Sequence, residues 1–304
     1  MATKAKKSKL LSERFTLFDG ANTLLMLLIL FITLYPFWYC IIVSFNDSND
    51  LLKGPLYFWP RAFSLDNYRF VFENPSLLSA FFVSVARTVV GMLLTVLFTG
   101  AAAYGLSKRD LIGRKYMMTY FIIPMYFGGG MIPTYLLIKG LGLLNNFLVY
   151  VIPSMWSFYY AILFMAFYDS IPESMEESAK IDGASVFTIF MRLILPVSMP
   201  IYATIALYCC VGQWNSWLDT VIYTKSESLV TLQYIMIKLV NEAEAQLELQ
   251  KMMADTVTEM GVNAVSPTTV RVATMVVTTF PIVVVYPFFQ KYFVKGIMLG
   301  SVKG

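Results

Sequence analysis

Histidine is missing from all 304 residues, which removes the commonest general base and metal ligand. Charge is scarce too. Asp, Glu, Lys and Arg make up 14% of the chain, where a soluble domain carries about a quarter. The net charge of +4 gives no basic footprint for nucleic acid. Only three cysteines occur, Cys40, Cys209 and Cys210. All sit in apolar runs at spacings that fit neither a zinc site nor a redox pair, so they read as small buried hydrophobes. No Gly-x-x-x-x-Gly-Lys-Ser/Thr loop is present, so the chain has no phosphate cradle of its own. Without histidine, a metal-ligand cluster or a nucleophile beside a base, a membrane enzyme has no credible catalytic set.

What remains is apolar. Hydrophobic residues make up 58% of the sequence and the mean hydropathy is +0.65, which makes lipid the expected solvent. A spanning helix needs roughly 20 mainly apolar residues. Six segments qualify, near 20–45, 78–106, 116–138, 146–168, 199–223 and 270–290. The first is too long for a cleaved signal peptide and lacks a small-residue cleavage site. The expected class is therefore an all-α polytopic membrane protein with six transmembrane helices.

Basic residues orient it. With the N-terminus inside, the inward segments hold 14 Lys and Arg and the outward loops 8, with Arg87 inside a span. The stretch 107–115 weighs most, carrying Lys108, Arg109, Arg114 and Lys115. Both termini are expected in the cytoplasm: an N-terminal segment 1–19, a six-span domain 20–295 and a C-terminal tail 296–304. Outward loops are expected at 46–77 and 224–269. The first reads as an irregular or mixed excursion with Pro55, Pro60 and Pro75. Within the second, 227–260 has helical periodicity and the acids Glu242, Glu244, Glu248, Asp255 and Glu259, as a solvated amphipathic helix would.

One inward stretch, 171–185, is polar beyond need: IPESMEESAKIDGAS. Ser170 and Glu173 have the spacing of a capping box, with Pro172 in the first turn. Glu173, Glu176 and Glu177 suit the positive end of the helix dipole. Gly183 can end the helix in the left-handed conformation. A second helical stretch is expected from Ser185 to Leu195, stopped by Pro196. Met175 and Ala179 share a face on which small Ala179 admits a close partner. A lipid-surface helix normally carries Lys and Arg, whereas Glu173, Glu176, Glu177 and Asp182 here face only Lys180. Docking to protein is favoured.

The run EESAKIDGASVFTIFMRLILP resembles the EAA motif of membrane subunits of ATP-binding cassette (ABC) importers, with Ser178 in place of the first Ala. The resemblance implies that the loop at about 169–196 holds a coupling helix seated on an ATPase subunit, through Glu176, Glu177, Ser178, Ala179, Asp182, Gly183 and Ala184. WNSWLDTVIY, with Trp214 and Asn215, resembles the Trp-Asn signature of carbohydrate-type permeases. The ending QKYFVKGIMLGSVKG is similar to the maltose-type permease C-terminus, which implies that Ser301, Val302, Lys303 and Gly304 reach into the nucleotide-binding subunit. YFGGGMIPTYLLIKGLGLLNN resembles a subgroup linked to oligosaccharides derived from polysaccharides, some uronate-bearing. The family implies these partners: a second homologous permease, two ATPase subunits holding ATP and Mg, and an extracytoplasmic solute-binding protein. It implies no directly bound cofactor and a bacterial cytoplasmic-membrane location.

Candidate pathway residues are those that break or charge a span. Gly128, Gly129 and Gly130, between Pro124 and Pro133, read as a hinge or unwound wall, against close helix packing alone. Arg87 faces a cavity, snorkels, or pairs with a protein acid. Gln213, Trp214 and Asn215 offer hydroxyl partners and a stacking ring. The alternatives are a permease for a non-sugar solute and an ion-coupled secondary transporter. The latter needs paired acids buried in the spans, for which Asp219 is the nearest candidate, close to an interface. It also leaves 171–185 without a purpose.

Overall fold

The computed structural model describes residues 16–51, 53–73, 75–253 and 267–300. Helices make up the fold, and among the described residues the one β pairing is a bridge between Asn46 and Phe63. Helix α1 (Leu17–Ser44) begins at Thr16, which forms a capping box with Asp19. It is apolar on every side and buries only Ile42, Val43 and Ser44, as expected of a helix whose solvent is lipid. The excursion that follows is mixed, as read from the sequence, with two short helices, α2 (Ser48–Leu51) and α3 (Asp66–Glu73).

Helix α4 (Pro75–Ser107) is the central strut. Its buried face includes Ala80, Ser84, Arg87, Gly91, Thr95, Thr99, Gly100 and Ala103, small residues at helical spacing apart from Arg87. They admit close neighbours. A Cβ on Gly91 would meet Gln213, and one on Gly100 would meet Tyr202.

The 116–138 span is two helices, α5 (Arg114–Tyr126) and α6 (Met131–Gly140), bent by 117°. The break falls at Gly128–Gly129–Gly130, with Gly130 at φ +85, where a residue with a Cβ is strained. A Cβ on Gly128 or Gly130 would meet nothing within 4 Å, so close packing does not explain these glycines.

The expected continuous span at 146–168 is not formed. Asn146 caps a 3-10 turn (Phe147–Tyr150), a turn passes Pro153, and Ser157 caps an 11-residue helix, α7 (Phe158–Tyr168). Two caps and a proline outweigh the apolar run.

Helix α8 (Glu173–Ile181) is the polar segment. Its N-cap is Pro172, without a side-chain cap, so the expected capping box is absent; the Ser170 hydroxyl instead donates to the Phe167 carbonyl at 2.6 Å. The C-terminal end is as expected. Gly183 sits at φ +80, its N–H donates to the Lys180 carbonyl, and the Ala184 N–H donates to the Ala179 carbonyl, a Schellman closure.

Pro196 does not stop the next helix, α9 (Val186–Val197). Its middle, Phe190–Ile194, widens into a π turn in which the Leu195 N–H reaches the Phe190 carbonyl, and this accommodates a proline that has no N–H for the regular ladder. The chain bends by 77° at Ser198 into α10 (Met199–Asn215). Pro200 cannot donate back to the Pro196 carbonyl there. A break at Ser216 separates α10 from α11 (Leu218–Tyr223), so the expected 199–223 span is also interrupted. Helix α12 (Leu232–Met253) lies within the stretch expected to be helical; its first turns are half-buried and Glu242 is exposed, while Asp255 and Glu259 lie outside the described residues. Helix α13 (Pro267–Gly300) closes the fold, and the tail Ser301–Gly304 lies outside the described residues.

Among the described residues three helices are long and apolar enough to cross a membrane, or up to five if α5/α6 and α9/α10 each count once. The main core joins α4, α7, α9 and α10 around Ala103, Ala161, Phe164, Ile194 and Ile205.

Candidate functional site

Two places gather candidate functional side chains, at opposite parts of α4. The first is the cleft where α8 meets the end of α4, lined by Lys108, Arg109, Glu173, Glu176, Glu177 and Lys180 among others. Lys108 Nζ donates to both Glu176 carboxylate oxygens, at 2.6 and 2.5 Å. The same ammonium lies 4.1 Å from the centroid of the Tyr104 ring, a cation–π contact. Tyr104 in turn packs on Phe190 of α9 at 5.0 Å. The polar segment is thus fastened to α4 on both sides of its turn.

This sorts the residues expected to couple. Glu176 faces the chain and is neutralised within it. Ala179 and Ala184 are half-buried against the main core, so the small face is partly taken up by the chain's own helices. Glu177, Ser178, Asp182 and Gly183 are exposed. Ile181, Val186 and Phe187, which the sequence reading did not single out, are 86%, 63% and 72% exposed in the same segment. Their signal was available: three large apolar residues flank a Gly turn in an otherwise polar segment.

The second place is a cavity of about 310 Å³ between α4, the 3-10 turn, α6, α10 and α11. Arg87, buried to 2% exposure, is its charged centre. Its guanidinium donates to Asp219 at 2.6 Å, to Gln213 Oε1 at 3.0 and 3.2 Å and to the Ser216 carbonyl at 3.2 Å. It lies 4.4 Å from the Tyr150 ring centroid. Gln213 Nε2 donates to Ser154 at 2.7 Å. Of the three openings for Arg87, the structure takes the pair with a protein acid, and it also places that pair on a cavity wall. Asp219 is thereby explained as a counter-charge. A partner 132 residues away is invisible to helical periodicity, and the sequence reading singled out Asp219 only as a candidate acid for ion coupling, not as the partner of Arg87.

The other expected pathway residues divide. Gln213 lines the cavity. Trp214 points the other way, donating its indole N–H to the Thr278 carbonyl at 2.9 Å, and Asn215 is exposed at the end of α10. The glycines are not on the wall; their bend delivers Thr134 and Ile138 of α6 to it. Tyr160 and Tyr208 supply rings. Among the described residues no group of three or more His, Cys, Asp and Glu is placed to hold a metal.

No family model matches the chain. It is 37% identical to the polygalacturonan/rhamnogalacturonan transport system permease protein YtcP of Bacillus subtilis, over 95% of this chain and 99% of the relative. The structure resembles a chain from a bacterial ABC transporter involved in import of the acidic polysaccharide alginate, with a TM-score of 0.82 and 27% identity over 93% of this chain and 98% of that one. The fold also matches a chain of a bacterial alginate ABC transporter solved with its alginate pentasaccharide-bound periplasmic protein, at a TM-score of 0.55 and 14% identity, over 90% of this chain and 92% of that one.

Proposed function

Since the chain belongs to the family of permease subunits of sugar-importing ABC transporters, we propose that it forms half of the translocation pathway for an oligosaccharide bearing uronate residues. The family role is transport, and hydrolysis belongs to separate subunits. The acidic cargo is inferred from relatives whose named substrates, polygalacturonan and alginate, are both acidic.

The observation that carries the mechanism is α8 itself: a short helix closed at its C-terminal end by Gly183 and fastened to α4 by Lys108, whose outer face combines Glu177 with Ile181 and Phe187. In this reading that face seats on an ATPase subunit. Closure of two such subunits on ATP and Mg, held entirely by them, moves α8 and rocks the spans. A second, homologous permease completes the pathway, and a solute-binding protein delivers cargo to the loops at 46–77 and 224–269. The chain lies in the bacterial cytoplasmic membrane with six crossings, the segment 1–19 and the tail 296–304 in the cytoplasm, and Ser301–Gly304 against the ATPase. The wall around Arg87 and Gln213 faces the cargo as a neutral pair and an amide, because Asp219 already balances the arginine.

The test is ATPase activity of the assembled transporter with and without Glu177→Arg. Loss of binding-protein-stimulated hydrolysis, with looser assembly, is the expected result. Unchanged stimulation removes Glu177 from the contact. Uptake of oligogalacturonides against neutral oligosaccharides by the intact transporter tests the cargo separately.

A further inference from the structure

The segment 54–63, GPLYFWPRAF, was expected in a loop outside the membrane, yet it is built to be wet on one side only. Leu56 is 2% exposed and packs with Ile42, Val43 and Val272. Arg61 ties the segment down, donating to the Asp50 carboxylate at 3.0 Å and to the Asp50 and Gly54 carbonyls at 2.8 Å each. Pro55 and Pro60 bracket what lies between. Held in this frame, Tyr57, Phe58 and Trp59 stand out at 63%, 53% and 73% exposure. Three consecutive large aromatics on a rigid loop are costly to leave in water.

Their neighbours identify what covers them. Trp38 of α1 donates its indole N–H to the Phe58 carbonyl at 3.1 Å, and the Tyr35 hydroxyl donates to the Tyr57 carbonyl at 3.4 Å. The rings follow: Trp38 meets Trp59 edge-on at 5.7 Å and Tyr35 meets Phe58 at 5.9 Å. The aromatic loop therefore continues the surface of a helix that is exposed along nearly its whole length. Trp38 lies six residues before the last residue of α1, a depth of about 9 Å at 1.5 Å per residue. That matches the belt where Trp and Tyr concentrate between hydrocarbon and water, and the bonds from Trp38 and Tyr35 satisfy two loop carbonyls that lipid cannot.

We propose that Tyr57–Phe58–Trp59 is an interfacial membrane anchor, inserted among lipid headgroups and upper acyl chains beside the C-terminal end of α1. It fixes the 46–77 excursion at the bilayer surface. The partner is the lipid itself, and the proposal holds whatever the cargo is.

The experiment uses the assembled transporter in nanodiscs of phosphatidylcholine brominated either near the headgroup or near the chain end. Subtracting the emission of a Trp59→Phe variant isolates the Trp59 contribution. About a halving of that contribution by headgroup-proximal bromine, with much less from the chain end, is expected of a belt residue. No quenching by either lipid overturns the proposal. So does quenching seen for the isolated subunit but lost on assembly with the second permease or the binding protein, because the surface is then a protein contact. Nitroxide on Trp59→Cys, in a background without the native cysteines, provides a second reading. Higher accessibility to oxygen than to a water-soluble nickel chelate supports insertion, and the reverse overturns it.

Discussion

Replacing Asp219 by Asn should destabilise the protein more than replacing Arg87 by Met, although Arg87 is the residue at the centre of the network. The reason is which charge is stranded. The Arg87 side chain is 2% exposed and that of Asp219 is 23% exposed. Without Arg87, Asp219 turns to water and keeps the Ser216 hydroxyl, which donates to it at 2.7 Å; the cost is lost hydrogen bonds and packing, about 1–2 kcal/mol. Without the Asp219 charge, a guanidinium stays buried with only neutral acceptors. Removing one member of a buried pair costs about 3–5 kcal/mol, and the Gln213 and Ser216 oxygens with the Tyr150 ring place this case near 3 kcal/mol on that scale. The difference between the variants is then about 1–2 kcal/mol. The assay is equilibrium unfolding of the purified protein in mixed micelles, run as a double-mutant cycle with Arg87→Met/Asp219→Asn. The double variant should be less destabilised than the sum of the singles, since no charge is stranded in it. An Arg87→Met cost equal to or above that of Asp219→Asn, or strict additivity, refutes the reasoning.

Lys108→Met should lower transport per ATP hydrolysed while sparing assembly, because it frees Glu176 without touching the exposed face of α8; the swap Lys108→Glu/Glu176→Lys should recover most of the ratio, and parallel uptake and phosphate-release assays decide. The pair is partly buried, so its loss corresponds to about 1–2 kcal/mol, between the exposed and buried limits. Gly183→Ala places a side chain at φ +80 and should cost about 1 kcal/mol, seen as a lower unfolding midpoint and faster proteolysis around 180–186. The Asp50 carboxyl is held below its ordinary value by the hydrogen bond from Asn46 and then by Arg61, against its desolvation. A depressed folded value means that its contribution is complete above the unfolded value near 3.9 and fades as pH falls through the lower folded one. Proteolysis of the 46–77 excursion should therefore rise with acid below about pH 4, and Asp50→Asn should be open already at neutral pH and flatten that dependence.

What the sequence revealed and what it hid follow from the range of the forces involved. Local signals carried far. Gly183 was legible because a left-handed residue needs glycine whatever surrounds it, and the triple glycine marked a real break because no neighbour could compensate for it. Apolar length located α1, α4 and α13. It misled at 146–168, where Asn146, Pro153 and Ser157 each cut a run that hydropathy averages over. It misled again at Pro196, where a π turn, set by how α9 packs, absorbs the missing N–H. Ser170 looked like a cap by spacing, yet its hydroxyl turns back to Phe167. The directions of side chains were least legible: Ala179 turned inward, Trp214 turned from the cavity and Glu176 was claimed by Lys108, each decided by elements tens of residues away.

Among the long apolar helices of the described residues, α4 alone is free of interior proline. Helix α1 carries Pro36 and α13 carries Pro281 and Pro287, and the remaining apolar segments are broken at Gly128–Gly130, Ser198 and Ser216. Of the three glycines of α4, Gly91 and Gly100 are packed against Gln213 and Tyr202, whereas Gly105, close to Lys108, has open space around it. This unbroken rod ends at Lys108, where α8 is fastened, and carries Arg87 about 30 Å away by the helical rise, with Ser84 beyond it accepting the Leu232 N–H at 2.8 Å. On the proposed function, a displacement imposed on α8 would reach the cavity wall through α4, and the segments already bent around it would take up the change. If so, flexibility inserted in the rod between its two fastenings, as by Ala102→Gly/Ala103→Gly, should uncouple hydrolysis from uptake as Lys108→Met does. The same pair of glycines placed in α12 should not. Equal effects at both places would mean that the stroke does not travel through α4.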